Sequence, residues 1–304
     1  MVAGALIQST VQLGVSLEPP AWSEEDGGRV LETARRAEHL GFDYVLMSSH
    51  MLRNRIGSAL DPFVMLAAVA GATSRIRLAT SVLVVPYYDP VMLANTVASM
   101  DVLSGGRFVL AAGTGWNPEE YAAIGVPLSE RGARTDENLR ILRALWETEP
   151  VTYTGRFARL EEAVAGVRPR TPGGPAVWIG GNSEAALRRV VRFGDGWHGR
   201  GVDHTTAADV RSRLAALGER TGRDTSALTL TTVGFLTPPG FTPAQPAPGR
   251  PLGGTRATLD SVVEDLTRLH TAGVSMCSLW MPLDGPGLAD ALHWVAEELR
   301  PALP

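Results

Sequence analysis

Short apolar runs alternate with helical patterns along the whole chain, and this rhythm narrows the fold more than any other feature. Such alternation calls for a parallel sheet whose strands are joined by crossover helices. Gln12 to Leu17 reads as the first strand, Asp43 to Met47 as the second and Ile76 to Val85 as the third. Arg107 to Ala112, Ala176 to Ile179, Gly196 to Arg200, Leu228 to Leu236 and Val274 to Met281 follow. Between them, Val30, Ala34, Ala37 and Gly41 stand at helical spacing behind a Ser23–Asp26 capping box. Asp61-Pro62 and Asp89-Pro90 each place an N-capping aspartate before a first-turn proline. Further helices are expected over Glu130 to Trp146, Glu184 to Phe193, Thr206 to Thr221, Thr258 to Ala272 and Leu288 to Leu299. Eight strands with interleaved helices favour an α/β fold of the (β/α)8 TIM-barrel type as one domain over residues 1–304, with a doubly wound open sheet as the alternative. The barrel is preferred because polar and glycine-rich residues follow so many of the strands, where a barrel builds its active site.

Two stretches break the rhythm. Residues 151–166 have hairpin character around Tyr153-Thr154-Gly155-Arg156-Phe157. Residues 237–254 are rich in proline and glycine and lack periodicity, which reads as an excursion or lid that shapes a pocket.

Composition removes whole classes of chemistry. All 28 basic residues are arginine, so Schiff-base, pyridoxal-phosphate and P-loop lysine chemistry are excluded. The single cysteine, Cys277, excludes a disulfide framework or a cysteine-ligated cluster within one chain. A net charge of −4 with interspersed signs gives no reason to expect nucleic acid or an anionic membrane. No apolar run reaches membrane-span length and no basic n-region precedes Arg29, so a cytoplasmic location is expected.

Candidate chemistry gathers after the strands. His50 follows the second strand, where an imidazole suits proton transfer; the other reading from position is a loop histidine that caps or simply faces water. His198 follows Gly196-Trp197 and is a plausible pocket residue. No His-x-His or His-x-x-x-His pair occurs, so no metal is expected. Gly113-Thr114-Gly115 fails the dinucleotide fingerprint at Pro118; its glycines either admit a flat ligand or make a turn. Gly180-Gly181-Asn182-Ser183 offers free N–H groups at a helix start, suited to a phosphate or simply to capping. Trp116, Trp197 and Trp280 are either walls for a planar ligand or core.

Taken in order, several pieces resemble the bacterial luciferase-like family of flavin and deazaflavin oxidoreductases. They are Ala34-x-x-Ala37-Glu38-x-x-Gly41-Phe42-Asp43, His50, Ala79-Thr80-Ser81-Val82-Leu83 and Asp101-x-Leu103-Ser104-Gly105-Gly106-Arg107. Gly113-Thr114-Gly115-Trp116, Arg131-Gly132-x-Arg134-x-Asp136-Glu137, Ile179-Gly180-Gly181 and Gly194-Asp195-Gly196-Trp197 complete the set. The Gly-x-Gly-Trp and Arg-Gly-x-Arg-x-Asp-Glu pieces are most similar to the branch that uses coenzyme F420.

The resemblance implies a barrel with the cofactor ring at its C-terminal rim, a non-proline cis peptide at Ser81-Val82, and His50 in ring contact or proton transfer. It implies cofactor contacts at Ser49, Ser81, Val82, Gly113, Thr114, Gly115, Trp116, Asn117 and Trp197, with phosphate held at Gly180, Gly181, Asn182 and Ser183. The expected activity is hydride transfer between F420 and a small organic substrate. The alternatives are an oxygen-using monooxygenase fed with reduced FMN by a separate reductase, and a silent flavin-binding protein. A homodimer follows from the resemblance as well. One departure stands out: many relatives carry an acidic residue immediately before this histidine, and here it is Ser49.

Overall fold

A computed structural model describes residues 10–17, 26–52 and 60–304. Eight parallel strands close into a barrel: β1 (Gln12–Ser16), β2 (Tyr44–Met47), β3 (Arg77–Thr80), β4 (Phe108–Gly113), β5 (Ala176–Gly180), β6 (Gly196–Arg200), β7 (Thr229–Phe235) and β8 (Val274–Trp280). Closure is made by β1 against β8, with Leu13 opposite Cys277, and by β3 against β4, with Leu78 opposite Phe108. The open-sheet alternative is thereby removed. Tyr44, Leu46, Ala79, Val109, Ala111, Trp178 and Met276 fill the lower barrel, so the interior is a packed core rather than a pore. The opposite faces of the strands, among them Leu13, Val15, Val45, Leu110 and Cys277, pack under the surrounding helices.

The helices are α1 (Asp26–His39), α2 (Pro62–Ala72), α3 (Pro90–Leu103), α4 (Pro118–Ala123), α5 (Arg131–Glu147), α6 (Glu184–Phe193), α7 (His204–Thr221), α8 (Leu259–Thr271) and α9 (Gly285–Trp294). The Asp-Pro starts work as the sequence suggests. Asp61 accepts from the N–H groups of Phe63 and Val64 at 2.9 and 3.0 Å, and Asp89 from those of Val91 and Met92 at 2.9 and 3.1 Å. The expected capping box falls on Ser23, which lies outside the described residues.

Three details go beyond the sequence reading. The third strand is not continuous to Val85: β3 ends at Thr80, the Ser81-Val82 peptide is cis, and Leu83–Val84 then pairs with the end of β4. The hairpin, Val151–Thr154 against Arg159–Ala163, is held to α5 by Glu137, whose carboxylate accepts from the N–H groups of Arg156, Phe157 and Ala158 at 2.8 to 2.9 Å. The 237–254 excursion is tied down rather than lid-like. Leu252 N–H donates to Phe235 O and Ala244 N–H to Pro282 O, each at 2.7 Å, while Gly253 N–H and Arg250 both bind Asp265. Among the described residues no helix is long and apolar enough to cross a membrane, and no cluster of His, Cys, Asp and Glu could hold a metal.

Candidate functional site

At the C-terminal end of the barrel the strand ends surround a cavity of about 410 Å³, within the range of small-molecule sites. Its position follows from the fold, since every parallel strand delivers its next residues to this rim. Of the residues the sequence points to, Ser49, His50, Ser81, Val82, Gly113, Thr114, Gly115, Trp116, Gly180, Gly181 and Asn182 come together in the lining. His198 and Trp280, which the sequence also singles out, line it as well, and Arg200 and Val233 join them from β6 and β7.

Val82 explains two of the glycines. A Cβ on Gly113 would stand 2.4 Å from Val82 Cγ2, and one on Gly180 would stand 2.8 Å from Val82 Cγ1. Val82 is therefore wedged between the ends of β4 and β5, a half-buried apolar shoulder on the cavity floor. Gly115 has φ +68°, and a side chain there would also strike Val84. These glycines thus serve the protein's own packing and turn. Gly113→Ala is expected to displace Val82, at about 1–3 kcal/mol of overpacking, and to weaken cofactor binding; thermal unfolding and a ligand titration check both.

Three expected contacts lie elsewhere. Asn117 is buried and caps α4, accepting from Glu119 N–H at 3.0 Å. Ser183 caps α6, its hydroxyl accepting from Ala186 N–H at 3.2 Å. Trp197 is fully buried in the core and reaches the site only through its Nε1–H, which donates to Gly181 O at 2.9 Å. Nor does any residue of the 237–254 excursion line the cavity; Ala247 instead packs behind Val233, Phe235 and Trp280.

His50 sits on the rim with Trp116 at its edge, ring centroids 5.8 Å apart and planes 68° to each other. Its Nδ1 is 3.4 Å from both carboxylate oxygens of Glu120. Glu120 is fully buried in α4, seventy residues along the chain, and its oxygens also accept from Met51 N–H at 2.7 Å, Leu52 N–H at 3.1 Å and Tyr87 O–H at 2.8 Å. Burial pushes this carboxyl up, but the donors from Leu52, Tyr87 and Met51 and the nearness of His50 outweigh it and hold it below its ordinary 4.5. A carboxylate thus faces His50 from the fourth βα connection, while residue 49 is serine. Ser49 is buried and hydrogen-bonded to Tyr88. Sequence reading missed Glu120 because Asn117-Pro118-Glu119-Glu120 looks only like a helix start with favourable first-turn charge.

With Nδ1 turned toward Glu120, Nε2 is the nitrogen of His50 left for the cavity. Arg200 is the permanently charged side chain among the described lining residues, exposed at the mouth and stacked 5.4 Å from the Phe235 ring. Together with the N-terminus of α6 it makes that side of the cavity favourable to an anion.

Comparison with known proteins agrees with this architecture. The chain is 34% identical over 193 residues to an F420-dependent glucose-6-phosphate dehydrogenase of Amycolatopsis mediterranei, covering 60% of this chain and 57% of that one. It is 31% identical over 205 residues to an F420-dependent hydroxymycolic acid dehydrogenase of Mycobacterium tuberculosis, covering 66% and 56%. The chain spans between half and about three fifths of the length of these and other curated relatives. Among solved structures, the monooxygenase RslO1 of Streptomyces bottropensis superposes with a TM-score of 0.81 at 21% identity, covering 96% of this chain and 99% of that one. An F420-dependent secondary alcohol dehydrogenase in complex with an F420-acetone adduct does so at 0.77 and 17%, covering 93% and 98%. At such identities these two matches speak to the fold alone. The family model described as luciferase-like monooxygenase matches residues 3–238, and with the closed barrel and the cavity at its C-terminal rim, the chain belongs to the luciferase-like family.

Proposed function

We propose that this protein is an F420-dependent oxidoreductase acting on a small organic substrate. The observation that carries the reading is the cavity itself, with the Val82 shoulder between Gly113 and Gly180, the His50–Trp116 pair on one side and an anion-favouring side at Arg200 and α6. These residues suit a flat ring bearing a phosphate tail. The F420-dependent relatives add support for the deazaflavin over a flavin.

When bound, the deazaflavin would supply the hydride-transfer chemistry, exchanging two electrons and one proton as a hydride with the substrate. The rest falls to the chain. Val82 and Trp116 offer apolar surface to a ring, and Arg200 with the first turn of α6 offers charge and N–H groups to a phosphate. His50 Nε2 holds or accepts the substrate proton while Glu120 fixes the ring from behind. Apolar walls at Val84, Val233 and Trp280 limit water in the cavity.

Titration of the purified protein with F420 and with FMN, oxidised and reduced, tests the reading by fluorescence. Selective binding of F420 is the expected result. Selective binding of reduced FMN, followed by oxygen uptake, would replace it with the monooxygenase. Tight retention of either cofactor with no substrate-dependent oxidation would replace it with a silent binding protein.

The exposed surface also supports a homodimer as part of this reading. α2 and α3 pack side by side, and α2 carries no charged residue. They leave Val64 68% and Met92 70% exposed, with Val91 next to Met92 and exposed Val102 and Leu103 at the far end of α3. Helices apolar on nearly every face are expected to be covered. Sedimentation should give a dimer, and Met92→Glu should shift it toward monomer.

A further inference from the structure

The upper barrel holds a second polar set that the chemistry at His50 does not use. His198, on β6, is 4% exposed, and Trp178 lies nearly parallel to its ring, centroids 5.9 Å apart and planes at 18°. Its Nδ1 is 2.8 Å from Thr231 Oγ1 and its Nε2 is 3.0 Å from Ser81 Oγ. Thr231 Oγ1 in turn approaches the backbone oxygen of Trp197 to 3.1 Å.

The direction of these bonds can be worked out from what each group is able to do. A carbonyl oxygen only accepts, and a threonine hydroxyl has a single proton to give. The approach to Trp197 O uses that proton, so Thr231 meets Nδ1 as an acceptor and Nδ1 must carry the ring hydrogen. Burial lowers the imidazole to about 4, so the ring is neutral and Nε2 is a bare lone pair. Ser81 must then donate its own hydroxyl proton to Nε2.

We propose that Ser81, His198 and Thr231 form a one-way hydrogen-bond chain anchored on the Trp197 carbonyl, which leaves Ser81 only lone pairs for the cavity and makes it the acceptor for a ring N–H of the cofactor. This rests on the reading of the cavity as a deazaflavin or flavin site, since both rings carry N–H groups. His198 is a positioning residue in this scheme. It touches Ser81 and sets which way the hydroxyl points, and it needs no proton of its own to move. The same arrangement run backward would free the Ser81 hydroxyl to donate, and the site would then select a ring acceptor instead.

The direction is read from nitrogen-15 NMR of protein labelled at histidine, with His198 assigned from the signals lost in His198→Gln. The expected spectrum has a pyrrole-type Nδ1 and a pyridine-type Nε2, unchanged from about pH 8 to about pH 5.5. A pyrrole-type Nε2 overturns the chain, whichever cofactor binds. Thr231→Val, which keeps shape and removes the acceptor, should mix the two tautomers, and Thr231→Ser should restore the single one. Ser81→Ala should weaken F420 or FMN, whichever the wild type binds, by about tenfold. Unchanged affinity in Ser81→Ala overturns Ser81 as the acceptor for the ring. Failure of the wild type to bind either cofactor overturns the cofactor reading and with it the ring N–H, while the tautomer still decides the direction of the chain.

Discussion

His50→Ala is expected to lower turnover with an identified substrate by about 10²- to 10⁴-fold, the span associated with a positioned acid or base. Cofactor affinity should stay close to that of the wild type. The separation follows from geometry. His50 lies on the rim, edge-on to Trp116, whereas the Val82 shoulder and the anion-favouring side are built from other strand ends. Stopped-flow turnover beside a fluorescence titration measures both quantities on one preparation. Turnover unchanged by the substitution would remove His50 from the mechanism, and a parallel collapse of affinity would make it a cofactor-binding residue instead.

Glu120→Ala is expected to do more structural damage than any other single change at the site. The carboxylate is fully buried and accepts from two backbone N–H groups and a phenol, besides facing His50. Removing it leaves those donors without an acceptor, a loss of about 3 kcal/mol or more. The segment at Met51 and Leu52 would come free of α4, and His50 would lose the group that holds its ring. Stability and turnover should therefore fall together in Glu120→Ala. Glu120→Gln separates them, because one amide oxygen still serves the backbone donors while the negative charge behind His50 is gone. Denaturant unfolding and turnover of the two variants check this. An alanine variant as stable as wild type would show that the carboxylate does not hold the rim.

The pH dependence has a definite sign. The Glu120 carboxyl is held below its ordinary value of 4.5 in the folded protein, so its contribution is fully present above the unfolded value. It is lost as pH falls through the lower folded value. Acid unfolding of Glu120→Gln should accordingly lack that part of the slope.

The barrel was legible in the sequence because its signals are local. Asp61-Pro62 and Asp89-Pro90 cap helices through atoms two and three residues away, and apolar runs at strand and helix periods report burial on one element at a time. The rim followed, since parallel strands must deliver His50, Ser81, Gly113 and Gly180 to the same end. Periodicity could not say where the third strand breaks. No glycine or proline between Ile76 and Val85 marks a break at Ser81-Val82, and the cis position was available only through family resemblance. Nor could composition tell that the 237–254 excursion is anchored to Asp265, Phe235 and Pro282 and stays out of the cavity.

What the sequence determined by itself is the set of elements, their order and the end of the barrel at which the chemistry gathers. The tertiary structure alone decided the partners. Glu120 reaches His50 across seventy residues, Val82 takes the space that makes Gly113 and Gly180 necessary, and Thr231 meets His198 from the neighbouring strand. Each of these is a contact between strand ends or loops far apart along the chain. Their distances exist only once the barrel has closed, so no local pattern of residues can carry them.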